Sequence, residues 1–221
     1  MQSDKAYEIV EETPVYRGFF HVSHFSVRHT LFRGGWSGPI HRELFHRGSC
    51  VAVVPYDPWR DTVILLEQFR IGAIKANRDP WLTEIVAGAI EEGESAEEVA
   101  HREAEEEAGC KIDDLLRISE FFTTPGGSSE KITLYCGILR SDGLGGVHGL
   151  AEEDEDIRVR VVPFDEAWRM VLDNRIESAI PIIGLQWLAM NRADLRQRYA
   201  NPQNPADGGS DSIGLRHPGC G

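Results

Sequence analysis

The sequence predicts an α+β protein: an α/β/α sandwich with a mixed β-sheet between helices, preceded by a small β-rich subdomain. Three observations predict it. Strand-like runs fill most of the chain from residue 14 to residue 139, a capped helix interrupts them after Ser95, and two further helical stretches follow the last strand-like run.

The first elements are short alternations of apolar and polar residues, Tyr16 to Val22 and Phe25 to His29, which read as strands or hairpins of an N-terminal subdomain over residues 1–47. A catalytic-sized domain is expected over 48–200. It opens with two β-branched runs, Cys50 to Pro55 and Thr62 to Glu67, joined through the Asp57-Pro58 turn as a hairpin. Further strands are expected over Leu82 to Ala87, Lys131 to Leu139 and Ile157 to Val162.

Ser95 followed by Glu98 forms a capping box, and Gly109 is a natural stop, so a helix should span about Ala96 to Ala108. Two more are expected from Asp165 to Leu172 and from Ser178 to about Tyr199. The second tolerates Pro181 because its missing N–H falls in the unpaired first turn. Residues 201–221 are rich in Gly, Pro, Asn and Ser and hold few large apolar groups, so a flexible tail is expected there.

Composition excludes some functions. The net charge of -13 opposes binding to nucleic-acid phosphates. No stretch approaches the roughly 18 apolar residues of a membrane span. The polar, acidic start lacks the cationic and apolar regions of a secretory signal, so a cytoplasmic protein is expected. Cys50, Cys110, Cys136 and Cys220 are scattered, without zinc-site or disulfide-framework spacing, and are expected to be reduced structural thiols.

The most informative segment is the acidic helix. Nine glutamates lie between Glu91 and Glu107, and like charges four apart each cost a helix roughly 0.2–0.5 kcal/mol. Helical geometry puts Glu103, Glu106 and Glu107 on nearly one side, an oxygen-rich platform suited to Mg2+, a hard cation that bridges carboxylates to phosphates. Val99, Ala100, Ala104 and Ala108 leave a small-residue surface for close packing on a sheet. The bland alternative is a solvated face, balanced by pairs of Arg102 with Glu98 and Glu106.

Spacing decides between them. Gly88, Glu94, Arg102, Glu103, Glu106, Glu107 and Gly109 stand where the box of the Nudix family has its fixed glycines, glutamates and arginine, and from Gly88 to Cys110 the chain resembles that box throughout. The resemblance implies diphosphate cleavage. It makes the carbonyl of Ala87 and the carboxylates of Glu103 and Glu107 the ligands of Mg2+, with Mn2+ as the alternative metal. Glu106 becomes an auxiliary catalytic acid and Arg102 an orienter, while Gly88 would let the backbone bend so that the Ala87 carbonyl faces the metal.

Other segments are similar to the bacterial ADP-ribose pyrophosphatases of that family: Pro125, sixteen residues beyond Gly109, with Gly126 and Glu130; Tyr16 to Phe20; Arg42-Glu43; Glu67 to Arg70; and Gly149 to Ile157. This similarity implies a homodimer whose exchanged N-terminal arm brings Phe19 and Phe20 against adenine in the partner's site. It implies that Arg42, Arg47 and Arg70 meet phosphate and ribose oxygens, and that Glu43, Ala89, Thr124, Pro125, Gly126 and Glu130 complete the substrate-binding set. Glu153 is then the general base and Glu155 a further Mg2+ ligand on a mobile lid. The expected reaction converts ADP-ribose to AMP and ribose 5-phosphate. The alternatives are another nucleotide sugar or dinucleotide as substrate, and a non-catalytic nucleotide sensor.

Overall fold

The computed structural model describes residues 5–200, so the expected tail at 201–221 lies outside the described residues. Two sheets carry the strands. β1 (Tyr7–Arg17), β2 (His21–His29) and β3 (Ile40–His46) form an antiparallel three-stranded sheet in that order. β4 (Ser49–Asp57), β5 (Thr62–Phe69), β6 (Trp81–Glu84), β7 (Val86–Ala89), β8 (Asp114–Phe122), β9 (Lys131–Ile138), β10 (Gly146–His148) and β11 (Ile157–Pro163) form the second. Its order is β10-β11-β5-β4-β9-β8, with β6 on β5 and β7 on β4. β4 and β9 run parallel and the other pairs antiparallel, so the sheet is mixed, as expected.

Helices cover both faces, and strict alternation along the central strands explains why. Val51 and Val53 of β4, with Ile64 and Leu66 of β5, pack on Val99, Ala100, Ala104 and Ala108 of α2 (Ala96–Ala108). Ala52, Val54, Tyr56, Val63 and Leu65 point the other way, toward Ala167 and Met170 of α3 (Phe164–Leu172) and Leu185 and Leu188 of α4 (Ala179–Ala200). A strand buried on both faces must be apolar at nearly every position, and β4 and β5 are. The remaining helix is the short α1 (Ile71–Lys75).

α2 starts at its capping box, where Ser95 accepts from the Glu98 N–H and Glu98 from the Ser95 N–H, and it ends on Gly109 at φ 60. Pro181 sits in the first turn of α4. The expected single strand from Leu82 to Ala87 is two, β6 and β7, broken at buried Ile85. β4 and β5 are Cα partners only at Tyr56–Asp57 with Thr62–Val63; beyond that point β6 pairs with β5 and β7 with β4. The break lets one segment pair with both strands.

β8, β10, α1 and β1 before Tyr16 were not expected from sequence, and the expected Tyr16 to Val22 run is the end of β1, a turn at residues 18–20 and the start of β2. All eleven residues of β1 are exposed, so no burial period marks it. Among the described residues no helix is long and apolar enough to cross a membrane. Cys50, Cys110 and Cys136 are buried and unpaired.

Candidate active site

A cleft of about 550 Å³ is lined by β7, the acidic face of α2, Arg70 just after β5, the start of β4 and the first turn of α4. Its position follows from local chemistry. Small residues on one side of α2 bring the helix onto β7, which turns Glu103 and Glu107 toward Ala87 and Gly88. Gly88 lies within β7 opposite Val51, and its φ is not positive. Its requirement is space: a Cβ there would overlap the Glu103 carboxyl. The expectation that it serves a bend is corrected to a close approach of backbone to carboxylate.

Glu107 is the most enclosed acid of the cleft, 3% exposed. One oxygen accepts the Ala87 N–H at 3.0 Å. Burial, together with the negative charges of Glu103 and Glu155, pushes its pKa up to about 8, against the opposing pull of that N–H. Burial also raises the pKa of Glu103, assisted by Glu106 and Glu155 and opposed by Arg102. Arg102 spans the acids, with Nη1 2.9 Å from Glu103 and 3.1 Å from Glu106, and Nη2 3.6 Å from Glu94.

The cleft therefore holds carboxylates that repel one another and lack a full set of donors. Among the described residues no three His, Cys, Asp or Glu side chains form a group able to hold a metal alone. That suits a metal that takes one or two carboxylates and completes its shell with water and phosphate oxygens. Hard oxygen donors, mutual repulsion and a raised pKa all fit a divalent cation here.

Of the residues expected from sequence, the cleft gathers Phe19, Arg47, Arg70, Ala87, Ala89, Glu103, Glu107, Glu130 and Glu155. Arg70, on β5's end, donates from Nε to Glu84 at 2.8 Å. Arg47 lies 3.3 Å from Glu130 and over the Phe20 ring, 5.2 Å from its centre. Glu130 also accepts from Thr123 at 2.8 Å. Phe20 packs edge-on between Phe19 and Phe45. Phe19 itself is 90% exposed at the rim. Glu155 accepts the Leu150 N–H at 3.2 Å, which folds its loop back on itself.

Phe20, Arg42, Glu43, Glu106, Thr124, Pro125 and Gly126 do not line it. Arg42 and Glu43 are exposed on β3, and Arg42 donates to the His41 carbonyl at 2.7 Å. Thr124, Pro125 and Gly126 form an exposed turn next to the end of β3, where the Ser129 N–H donates to the Phe45 carbonyl at 3.0 Å and the Phe45 N–H to the Gly127 carbonyl at 2.9 Å. Glu106 faces Arg102. Glu153 ends a short 3-10 turn, Ala151–Glu153, and its side chain lies outside the described part of the structure.

The cleft also holds residues that sequence reasoning did not single out: Cys50, Glu84, Ile85, Glu91, Ile132, Ser178, Ile180 and Pro181. Glu84 had a signal, an acid inside an apolar strand. The α4 residues had none, because only the fold brings that turn here.

Comparison with known proteins agrees with this architecture. The NUDIX domain model matches residues 46–183. An ADP-ribose pyrophosphatase of Haemophilus influenzae is 44% identical over 200 residues, covering 89% of this chain and 92% of that protein. An ADP-ribose pyrophosphatase of Escherichia coli is 44% identical over 193 residues, covering 87% and 92%. A GDP-mannose pyrophosphatase of Klebsiella pneumoniae is 33% identical over 148 residues, covering 66% and 74%. A solved structure described as an ADP compounds hydrolase superposes with a TM-score of 0.65 at 22% identity, covering 86% of this chain and 96% of that one, and shows the fold. With Gly88, Arg102, Glu103 and Glu107 of the box lining one cleft and the domain model matched over more than half of its length, this chain belongs to the Nudix family.

Proposed function

We propose that the chain hydrolyses the diphosphate of ADP-ribose to AMP and ribose 5-phosphate. The observation that carries this is the cleft in which the acidic face of α2 meets Arg70, Arg47 and the rim aromatic Phe19. It offers cation-binding oxygens, phosphate-binding guanidinium groups and a stacking surface within one volume. The similarity to two ADP-ribose pyrophosphatases over most of their length supports the same substrate.

Glu103, Glu107 and the Ala87 carbonyl would hold Mg2+, with Mn2+ as the alternative, and Glu155 would join them as its loop closes. When bound, the metal neutralises diphosphate charge and lowers the pKa of water. Arg70 and Arg47 orient phosphate and ribose oxygens through forked donors. Phe19 stacks on adenine, with Phe20 buttressing it and fixing Arg47. Glu153 takes the proton of the attacking water, which adds to one phosphorus as the P–O bond to the other phosphate breaks. Glu106 acts through Arg102, holding that side chain against Glu103. The loop from Gly149 to Asp156 serves as the lid that brings Glu153 and Glu155 to the cleft.

Residues 1–47 serve as an arm, 48–200 as the catalytic domain, and the protein acts as a cytoplasmic homodimer. The exposed Tyr7, Ile9, Val10, Val15 and Tyr16 on β1 support burial against a second copy. Arg42, Glu43 and the Thr124-Pro125-Gly126 turn, which do not line their own chain's cleft, would reach the substrate across that interface. A second reading, another nucleotide sugar, is favoured by the likeness to a GDP-mannose pyrophosphatase. Steady-state hydrolysis of ADP-ribose, ADP-glucose, GDP-mannose, NADH and diadenosine polyphosphates tests both. A kcat/KM for ADP-ribose below that for GDP-mannose would overturn the first.

A further inference from the structure

Arg70 and Glu84 reach the cleft from neighbouring strands by the same alternation. Gln68 lies on β5 and Arg70 is the extended residue just past its end, so the two share a face; Leu66, two before Gln68, pairs with Glu84 on β6, which puts Glu84 on that face as well. Glu84 accepts the Arg70 Nε–H at 2.8 Å and the Gln68 amide at 3.3 Å, both on the same oxygen. Its side chain is 15% exposed and that of Arg70 is 44% exposed. Held through Nε, a guanidinium keeps its two Nη groups free, which is the end able to fork onto an oxyanion.

Resting on the assignment of Arg70 to substrate above, we infer that Glu84 is a positioning residue: it holds Arg70 by Nε so that the Nη groups address the diphosphate. Three physical points carry the inference. The cleft is crowded with carboxylates, and Arg70 lines it together with Glu103, Glu107 and Glu155. A free Arg70 would be drawn to whichever acid is nearest, including those that hold the cation. Tethering it to an acid outside the α2 cluster keeps it between the two groups, and Gln68, 6% exposed, stops the Glu84 carboxylate from turning away. Glu84 thus raises local negative charge yet aids binding of an anion, because it removes the disorder of a long side chain before substrate arrives.

The test is a double-mutant cycle read alongside a substrate-free signal. Glu84→Ala should raise KM for ADP-ribose about tenfold, the equivalent of one charged hydrogen bond, with a smaller change in kcat. Arg70→Ala should raise it at least as much, and the double variant should be no worse than Arg70→Ala. The Arg70 Nε–H resonance, assigned by its absence in Arg70→Lys, should be protected from exchange in the wild type, retained in Glu84→Gln and lost in Glu84→Ala. Additive effects on KM, or an Nε–H signal unchanged by Glu84→Ala, overturn the positioning role. Should Glu84→Ala fail to fold, Glu84→Gln carries the cycle, expected to raise KM only a few-fold and to remain non-additive. A wild-type KM in Arg70→Ala overturns both assignments, whereas a protected, Glu84-dependent signal in a protein inert toward ADP-ribose condemns the substrate reading alone.

Discussion

The acidic helix α2 and the edge strand β1 are similar in length, 13 and 11 residues, and opposite in character. Each feature of α2 has a local cause: a reciprocal cap, a glycine stop, small residues toward the sheet and acids toward the cleft. β1 pairs with β2 yet all eleven of its residues stay exposed, so burial in its own chain does not account for its apolar side chains. A helix whose acids line a cleft must be fixed by its own fold. A strand with eleven exposed positions acquires its meaning from what covers it.

Four experiments would break or sharpen this contrast. The largest effect is expected from Glu153→Gln, which should lower kcat by roughly 10²–10⁴-fold while ADP-ribose and Mg2+ still bind, as for loss of a general base. Near-normal kcat in single-turnover assays would remove Glu153 from that role. Glu107→Gln keeps an acceptor for the Ala87 N–H but removes a charge. Its Mg2+ activation midpoint should rise by about tenfold or more, the loss of one ion–ligand contact; a midpoint unchanged in a Mg2+ titration would take Glu107 out of the ligand set.

Phe19→Ala tests the arm. Losing a stacking partner worth about 1–3 kcal/mol should raise KM several-fold to a hundredfold. Mixing that variant with Glu107→Gln then locates the aromatic. If Phe19 serves the partner's cleft, as arm exchange requires, mixed dimers regain one intact site and activity rises on mixing. If it serves its own chain's cleft, which it lines here, activity does not rise above the average of the two.

The smallest effect is a pH dependence of stability without metal. The folded-state pKa of Glu107, about 8, lies above its value of about 4.5 in the unfolded chain, so the folded protein binds the extra proton. The protonated carboxyl favours the fold fully below about pH 4.5, and that contribution is lost as pH rises through about 8. Metal-free protein should therefore lose Tm over this window, Mg2+ should restore it at the alkaline end, and Glu107→Gln should flatten the slope. Differential scanning calorimetry with and without EDTA measures this directly; a Tm that rises with pH in EDTA would contradict the buried, uncompensated state of Glu107.

Much of the site was legible because it is local. Spacing alone puts Glu103 and Glu107 on one helical face, and Ser95, Glu98 and Gly109 fix the helix ends. Gly88 was legible as a required glycine but not for its reason, since the approach of Glu103 is a contact between residues fifteen apart. The split of the Leu82 to Ala87 run into two strands was hidden: each half has a strand's composition, and the break at Ile85 lets β6 pair with β5 and β7 with β4. β8 alternates only over Leu116-Arg117-Ile118-Ser119, too short a run to mark a strand by period alone. Glu84 showed itself only as an acid in an apolar run, and its link to Arg70 depends on register.

The sequence by itself determined the family box, the acidic face of α2 and the two-faced burial of β4 and β5, because helix and strand periods translate spacing directly into direction. Only the tertiary structure decided that Glu107 is enclosed and raised in pKa, that Arg70 is tied to Glu84, and that the first turn of α4 closes the cleft. Those depend on which distant segments meet, and burial, charge proximity and strand register are properties of that meeting.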